Sequence, residues 1–252
     1  MSPRKKTGEN KMDIEFIGKE MLVPYSRQRE FLKALEHDHD GELSWRVLKI
    51  QSEFVKGYDF LGKYHKAVSF FGTARSGFDE AVYRDAYDLA YALAKKDFAV
   101  FTGGGPGVME AANKGAKEAG GQSVGINILL PSKKGTIAER RNPYITDAEN
   151  FDFFFSRKVI LSFASQFYIF FPGGFGTLDE LFEMLTLVQT GKTSPVPIIL
   201  VGKDYWTPLL TWIRETLCQK NQSISPEDLD LYHLVADADE ALQFMTECLN
   251  VK

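Results

Sequence analysis

The sequence has few cysteines, no long apolar run and no apolar segment behind its basic start. Its two cysteines, Cys218 and Cys248, do not have the spacing of metal ligands, and both lie in the last segment without a local catalytic context. No apolar stretch approaches the roughly 20 residues that a membrane helix needs. The start, MSPRKKTGENK, lacks the apolar core of a signal peptide. We therefore expect a cytoplasmic protein in a reducing compartment, without a membrane partner.

The charge balance argues against nucleic acid as a partner. The 252 residues include 30 basic and 34 acidic side chains, which gives a net charge of −4. Such a chain has no general attraction for a polyanion. The hydrophobic share of 44% is typical of a globular protein with one substantial core. We therefore expect one main domain with an appendage.

The first 65 residues are predicted to be a polar tail followed by a helical extension. Residues 26–63 have a helical pattern, and the stretch from Trp45 to Leu61 predicts an amphipathic helix that packs on the main domain. His37 and His39 stand two residues apart among acids. Because residues two apart do not share a helix face, we interpret this pair as part of a solvated turn rather than a metal-ligand set.

From residue 66 onward, apolar strands alternate with amphipathic helices. The predicted strands are 67–71, 98–101, 123–128, 167–171 and 196–201, and the predicted helices are 79–95, 108–119, 153–165, 205–218, 238–249 and one that begins near Leu178. Residues 132–150 are polar and carry no predicted strand. The alternation predicts an α/β fold with a parallel sheet, whose ligand lies at the carboxyl ends of the strands.

Two turns of the same GGxG form each follow a predicted strand and precede a predicted helix. They are Gly104-Gly105-Pro106-Gly107 and Gly173-Gly174-Phe175-Gly176. Glycines let a backbone approach a ligand closely, and the first N–H groups of a helix attract anions, so a phosphate fits such a turn. Thr177 either caps the second helix or donates its hydroxyl to the phosphate. Neither turn has the lysine of a P-loop, and neither matches a dinucleotide fingerprint.

Three charged segments near these turns are candidates for chemistry. Glu180 falls in the predicted first turn of its helix, where it either complements the helix dipole or takes part in a reaction. Arg75, after the first strand, either holds a phosphate or carboxylate with its planar fork or is a surface arginine. Arg157 and Lys158 follow an aromatic run, where cations often extend from an apolar face to solvent.

These segments resemble the LOG family, the cytokinin riboside 5′-monophosphate phosphoribohydrolases that were long mislabelled as lysine decarboxylases. The run from Pro172 to Glu180, PGGFGTLDE, matches the family signature PGGxGTxxE, and Arg157-Lys158 matches the Arg-Lys pair upstream of it. The resemblance extends from about Ala67 to Val201. It includes the segments Gly72 to Arg75 and Gly103 to Met109.

The resemblance implies a Rossmann-like, doubly wound parallel sheet in a catalytic domain of residues 66–252, and a homodimer or higher homo-oligomer. It implies hydrolysis of a nucleoside 5′-monophosphate to free base and ribose 5-phosphate, without a cofactor or metal. Arg157 and Glu180 would be the catalytic pair. The residues implied to bind the nucleotide are Gly72, Thr73, Arg75, Gly103, Gly104, Gly105, Met109, Lys158, Pro172, Gly173, Gly174, Gly176 and Thr177.

The implied reaction has a physical basis in these residues. Breaking an N-glycosidic bond builds positive charge on the ribose ring. Glu180 could stabilise this charge or orient the attacking water. Arg157 could keep Glu180 ionised, bind the phosphate or polarise the leaving base, and the sequence does not choose among these roles.

One departure from the family pattern bears on the substrate. Many members carry Met-His-x before the Arg-Lys pair, whereas this chain has Phe154-Phe155-Ser156. The aromatic version resembles larger bacterial members with an N-terminal extension, so we expect AMP rather than a cytokinin riboside monophosphate. The alternative is a non-catalytic carrier of a nucleotide or of molybdenum cofactor on the same fold. The presence of both Arg157 and Glu180 favours the enzyme.

Overall fold

In the computed structural model, residues 43–75, 77–132, 135–138 and 141–250 are described. The predicted tail and the turn with His37 and His39 lie outside these ranges. The elements in chain order are α1 (Leu43–Leu61), β1 (Ala67–Phe71), α2 (Glu80–Ala94), β2 (Ala99–Thr102), α3 (Val108–Glu118), β3 (Ser123–Ser132), β4 (Gly135–Ala138), β5 (Asp147–Phe151), α4 (Phe154–Ser162), β6 (Phe167–Phe170), α5 (Phe175–Gln189), β7 (Ile198–Val201), α6 (Lys203–Trp212), a π-helical continuation (Ile213–Lys220), a 3-10 helix (Pro226–Asp230), β8 (Tyr232–Val235) and α7 (Ala238–Asn250).

Seven strands form a parallel sheet in the order β5-β3-β2-β1-β6-β7-β8, and β4 pairs antiparallel with the end of β3. The chain adds strands on one side of β1 and then, from β6, on the other side. This is the doubly wound α/β arrangement that the sequence predicts, and it is confirmed. Ligands of such sheets bind where the strand order reverses, which here is at the carboxyl ends of β1 and β6.

Helices cover both faces of the sheet, so its central strands are buried and mostly apolar. Every residue of β1, β2, β6 and β7 is buried. Helices α2, α3 and α7 pack on one face, around residues such as Phe70 and Ile169. Residues of α1, α4, α5 and α6 pack on the other face, around residues such as Phe101 and Tyr168. Because β2 and β6 are parallel, the glycine turns that follow them lie at the same end of the sheet, the end where the strands have their carboxyl termini.

The strands that the sequence did not predict are at the margins of the sheet. β5 has the sequence DAENF, and only Phe151 in it is fully buried. β8 has the sequence YHLV, and only Val235 is fully buried. Because edge strands are covered less completely than central ones, they lack the continuous apolar run that identified β1 and β6. β4 lies between β3 and β5, within the polar segment 132–150 for which no strand was predicted.

Residues 48–252 form one compact unit. The predicted division between an extension and a catalytic domain at residue 65 stays a prediction. Among the described helices, none combines the length and the apolar character that crossing a membrane requires.

Candidate active site

A cavity of about 510 Å³ lies at the carboxyl ends of β1 and β6, where the strand order reverses. Its wall is formed by the segments after β1, β2 and β6 together with one side of α4. The predicted site residues that line it are Gly72, Thr73, Arg75, Gly103, Met109, Arg157, Gly173, Gly174, Gly176, Thr177 and Glu180. The fold thus brings together residues that lie more than a hundred positions apart in the chain.

The turn after β6 opens directly into the first turn of α5. Gly174 is the N-cap of this helix, and no side chain caps it. The predicted capping role of Thr177 is therefore wrong, because the helix begins at Phe175 and Thr177 lies inside its first turn. The Thr177 hydroxyl occupies the space that a Cβ on Gly173 would need, so only glycine fits at 173. The result is a bare helix N-terminus on the cavity wall, which is a favourable place for a phosphate.

Glu180 lies in the second turn of α5, not in the first turn as predicted. The first turn contains no acid. Because the field of a helix dipole falls off within one turn, complementing the dipole does not explain an acid at this position. The half-buried carboxyl group faces the cavity.

The surroundings of Glu180 raise its pKa to about 8. Burial is the largest cause, since it penalises the charged form, and the carboxylates of Glu183 and Asp179 add to it. The positive charges of Arg157 and Lys158 act in the opposite direction. A carboxyl group that titrates near neutral pH inside a cleft is suited to acid–base or charge-stabilising chemistry.

Arg157 extends from α4 toward the end of the sheet. Its Nε donates to the carbonyl of Ile126 on β3 at 2.8 Å. A Cβ on Gly103 would collide with the Arg157 guanidinium, so glycine at 103 makes room for it. The guanidinium therefore packs against backbone just after β2 and within β3, on the cavity wall and within electrostatic reach of Glu180.

Lys158 is not on the cavity wall but ties α4 to α5. Its Nζ lies 2.7 Å from Oδ2 of Asp179 and 3.4 Å from Oε2 of Glu183. Burial acts to lower the pKa of Lys158, but the bond to Asp179 and the charges of Glu183 and Glu180 outweigh it and raise the pKa. Lys158 thus stays protonated and links the helix of Arg157 to the helix of Glu180.

The other predicted residues outside the wall shape the backbone around it. Gly104 has a φ of +81° and faces Oδ1 of Asn127, so a side chain does not fit there. The carbonyls of Gly104 and Gly105 accept bonds of 3.1 and 3.0 Å from Nδ2 of Asn142. The carbonyl of Pro172 accepts from the Thr73 N–H at 3.0 Å.

Besides the predicted Met109, the wall has an apolar part that was not among the predicted binding residues, although Phe154 was noted for its bearing on the substrate. This part consists of Phe71, Ala74, Phe78, Ile128, Phe154 and Leu161. Phe78 and Phe154 are about half exposed, at 49% and 57%. Large aromatic side chains that are left exposed beside a cavity are suited to stack on a planar ligand. The aromatic run before Arg157 was the available signal for Phe154, and Phe78 had none beyond its position after a glycine.

Tyr205 on α6 was also missed. Its hydroxyl donates to the carbonyl of Gly173 at 2.5 Å, and its ring packs edge-on against Trp206. This hydrogen bond holds the turn after β6 against α6.

Within the described part of the chain, no group of three or more His, Cys, Asp or Glu side chains could hold a metal ion.

The chain is similar to known proteins in sequence and in structure. A family model described as "Possible lysine decarboxylase" matches residues 109–245. The cytokinin riboside 5′-monophosphate phosphoribohydrolase LOG5 of Arabidopsis thaliana is 30% identical over 180 residues, which cover 71% of this chain and 76% of that protein. The cytokinin riboside 5′-monophosphate phosphoribohydrolase of Rhodococcoides fascians is 28% identical over 149 residues, which cover 59% and 74%.

A solved structure shares the fold at lower identity. It is the molybdenum cofactor binding protein of Rippkaea orientalis, with a TM-score of 0.53 and 20% identity over 74% of this chain and 99% of that one. At this identity the likeness concerns the fold alone.

Proposed function

Because the chain belongs to the LOG family, we propose that it is a nucleoside 5′-monophosphate phosphoribohydrolase, which releases free base and ribose 5-phosphate. The observation that carries this proposal is the meeting of Glu180 and Arg157 in one cavity, next to the bare N-terminus of α5. This arrangement supports the proposal, because a turn suited to phosphate and a pair of charged side chains line the same cavity.

The 5′-phosphate binds at the turn after β6. The N–H groups at the start of α5 and the Thr177 hydroxyl supply donors there, and the helix dipole favours the anion. Arg75 also lines the cavity, and its guanidinium would pair with the same charge. Binding energy from the phosphate, which does not react, holds C1′ of the ribose in position beside Glu180.

Glu180 acts in its ionised form. As the bond between C1′ and the base nitrogen breaks, positive charge develops on the ribose ring, and the carboxylate stabilises it. Water adds to C1′ as the bond to the base breaks, and the proton that it gives up passes through the same carboxylate to the nitrogen of the leaving base, so Glu180 is ionised again at the end. Arg157 favours the ionised form of Glu180, because its positive charge lowers the pKa of the carboxyl group against the effect of burial.

The base binds against the apolar wall. Phe78 and Phe154 offer exposed ring faces to a planar heterocycle, and Met109, Ile128 and Leu161 complete an apolar surface without charge. We propose AMP as the substrate, since Phe154 belongs to the aromatic run in which this chain departs from members that carry Met-His-x.

The partner and location are part of the same proposal. Phe155, Phe163, Phe175 and Phe182 on and near α4 and α5 are exposed, Phe175 by 93%. Such a set of apolar side chains is typical of an interface, and it supports a homodimer or higher homo-oligomer. The location that we propose is the cytoplasm, whose reducing environment fits the free cysteines Cys218 and Cys248. Light scattering at increasing protein concentration would test the oligomer.

The test of the activity is adenine release from AMP, followed by chromatography. We expect the wild-type protein to release adenine from AMP and not from adenosine. Glu180→Gln should lower turnover at least about 10²-fold while AMP binding, measured by calorimetry, is kept. Glu183→Gln is the matched control: it makes the same change on the same helix, outside the cavity wall, and should keep turnover at a pH where Glu180 is ionised.

The carrier alternative predicts a different result. A carrier binds AMP or molybdenum cofactor tightly and releases no adenine, and its binding is unchanged in Glu180→Gln. Equal turnover of Glu180→Gln and the wild type would remove Glu180 from the mechanism even if AMP is cleaved.

A further inference from the structure

Glu53 is a buried carboxylate on α1, outside the sheet and outside the cavity wall. It is only 4% exposed. Its Oε1 accepts a hydrogen bond of 2.6 Å from the backbone N–H of Asp152, and its Oε2 accepts from the hydroxyl of Ser156. Both of its oxygens are therefore bonded to the segment in which α4 begins. A buried charge is retained only where it is fully bonded, so this contact is a specific one.

The start of α4 has no cap of its own. Its N-cap is Phe153, whose side chain has no polar atom that could accept a helix N–H. The carboxylate of Glu53, on another helix, instead binds a group on each side of Phe153, the N–H of Asp152 just before the N-cap and the hydroxyl of Ser156 in the first turn, and so lies at the positive end of the α4 dipole. Ser156, one of its two partners, directly precedes Arg157.

The two helices also pack closely. A Cβ on Gly57 would collide with the side chain of Ile160, so α1 approaches α4 at a position where only glycine fits. Next to Gly57, the ring of Tyr58 lies 6.2 Å from the ring of Phe163, the residue that follows α4. From Glu53 to Tyr58, α1 thus follows α4 over most of its length.

The same stretch of chain holds β5, the strand that leads into α4. Lys56 donates to the carbonyl of Asn150 and lies 3.2 Å from Oε1 of Glu149. After the helix, the Tyr64 hydroxyl donates to Asp147 at 2.8 Å. Residues of α1, together with Tyr64 after it, therefore contact both β5 and the start of α4.

We infer that Glu53 is a positioning residue for Arg157: it fixes the first turn of α4 and so sets where the guanidinium lies in the cavity. The Arg157 N–H donates to the carbonyl of Phe153, within that first turn, and its Nε donates to Ile126. A shift of the turn moves both bonds. This inference rests on the proposed function, and it gives the helical extension a role in the reaction.

The test compares three variants of the full-length protein. Glu53→Ala removes both acceptors, and we expect kcat/KM for AMP to fall about 10- to 100-fold, as for other small displacements of a reacting group. Glu53→Gln keeps an acceptor for the Asp152 N–H and offers a donor to the Ser156 oxygen, so it should stay within about threefold of wild type. Tyr64→Phe, which removes only the bond to Asp147, should be like wild type.

A pH profile separates positioning from loss of folded protein. Because Arg157 lowers the pKa of Glu180, displacing Arg157 moves the rising limb of kcat/KM to higher pH in Glu53→Ala. A smaller folded fraction would scale the whole profile and leave its midpoint in place. A Glu53→Ala profile that is scaled without a shift, or that equals wild type, overturns the inference.

Hydrogen exchange supplies a readout that does not depend on activity. We expect backbone amides of residues 152–162 to exchange faster in Glu53→Ala than in wild type, with α2 and α5 unchanged, and no such change in Tyr64→Phe. If the wild type releases no adenine while this exchange pattern is found, the proposed function fails and the contact of Glu53 with α4 stands. If the exchange pattern is absent while AMP is cleaved, the inference about Glu53 fails alone.

Discussion

The turns that follow β2 and β6 share the GGxG form but differ in what surrounds their backbones. After β2, Asn142 binds the carbonyls of Gly104 and Gly105, and the first N–H of α3, on Val108, donates to Thr73. After β6, a Cβ on Gly174 or Gly176 would meet open space. The glycine turn after β2 is thus closed by protein groups, whereas the glycine turn after β6 is open toward the cavity.

This difference separates two uses of glycine. In the turn after β2, glycine lets other parts of the protein come close. Gly107, with a φ of +72°, lies against the Thr73 carbonyl, and Gly103 makes room for Arg157. In the turn after β6, Gly174 and Gly176 keep the helix N-terminus accessible to a ligand. A GGxG motif alone therefore indicates a tight strand-to-helix turn, and its neighbours decide whether the turn binds an anion.

The largest effect is expected at the closed turn, from Gly103→Ala. The added methyl group collides with the Arg157 guanidinium, so kcat/KM for AMP should fall about 10²-fold. The rising limb of the pH profile should also move to higher pH, because Arg157 no longer lowers the pKa of Glu180 as strongly. Gly62→Ala, whose methyl group fits without collision, is the matched control. Wild-type kinetics in Gly103→Ala would show that Arg157 does not need this space.

A second pair of variants tests the two turns directly. Gly107→Ala forces a side chain into a positive φ against the Thr73 carbonyl and should lower the free energy of unfolding by about 2 kcal/mol or more. Gly176→Ala lies in a helical turn with open space, so stability should be kept or rise by about 0.5 kcal/mol, while KM for AMP rises about tenfold.

Denaturant unfolding and steady-state kinetics measure the two effects. Equal losses of stability in Gly107→Ala and Gly176→Ala would contradict the distinction between the turns. An unchanged KM in Gly176→Ala would remove the phosphate from the open turn.

The smallest effect concerns Glu180, which lies on α5 after the open turn that follows β6. Since Glu180 acts ionised and its pKa is raised to about 8, kcat/KM should rise with pH through this region and level off above it. Glu183→Gln removes a negative charge that contributes to the raised pKa, so the midpoint should move to lower pH with the plateau unchanged. A profile that instead falls with rising pH would mean that Glu180 acts in its protonated form.

The central part of the fold and the outline of the site were predictable because local signals are strong there. β1 has the predicted bounds 67–71, and β6 ends one residue before the predicted Phe171. The signature around Glu180 and the Arg157-Lys158 pair indicated which strand ends form the site. The strands were inferred from continuous apolar runs and the turns from glycines, which are visible in any short window of sequence, whereas the choice of Glu180 and Arg157 rests on the resemblance to the LOG family.

What the sequence did not reveal depends on contacts between distant residues or on helix geometry. The closing of the turn after β2 by Asn142 joins residues that lie far apart in the chain, so periodicity carries no sign of it. The start of α5 was placed too late because glycine is a poor helix former, yet Gly176 is helical and Gly174 is the cap. That shift moved Glu180 from the first turn to the second and changed its interpretation.

The reversal of strand order at β1 also has a consequence for the order in which the protein is made. β2 and β3 emerge soon after β1 and can pair on one side of it, but its other neighbour is β6. Until β6 leaves the ribosome, β1 is an apolar strand, AVSFF, with one unpaired edge. Such an edge is a template for pairing with other chains, so nascent chains that stop before Phe167 should be more prone to aggregate than longer ones.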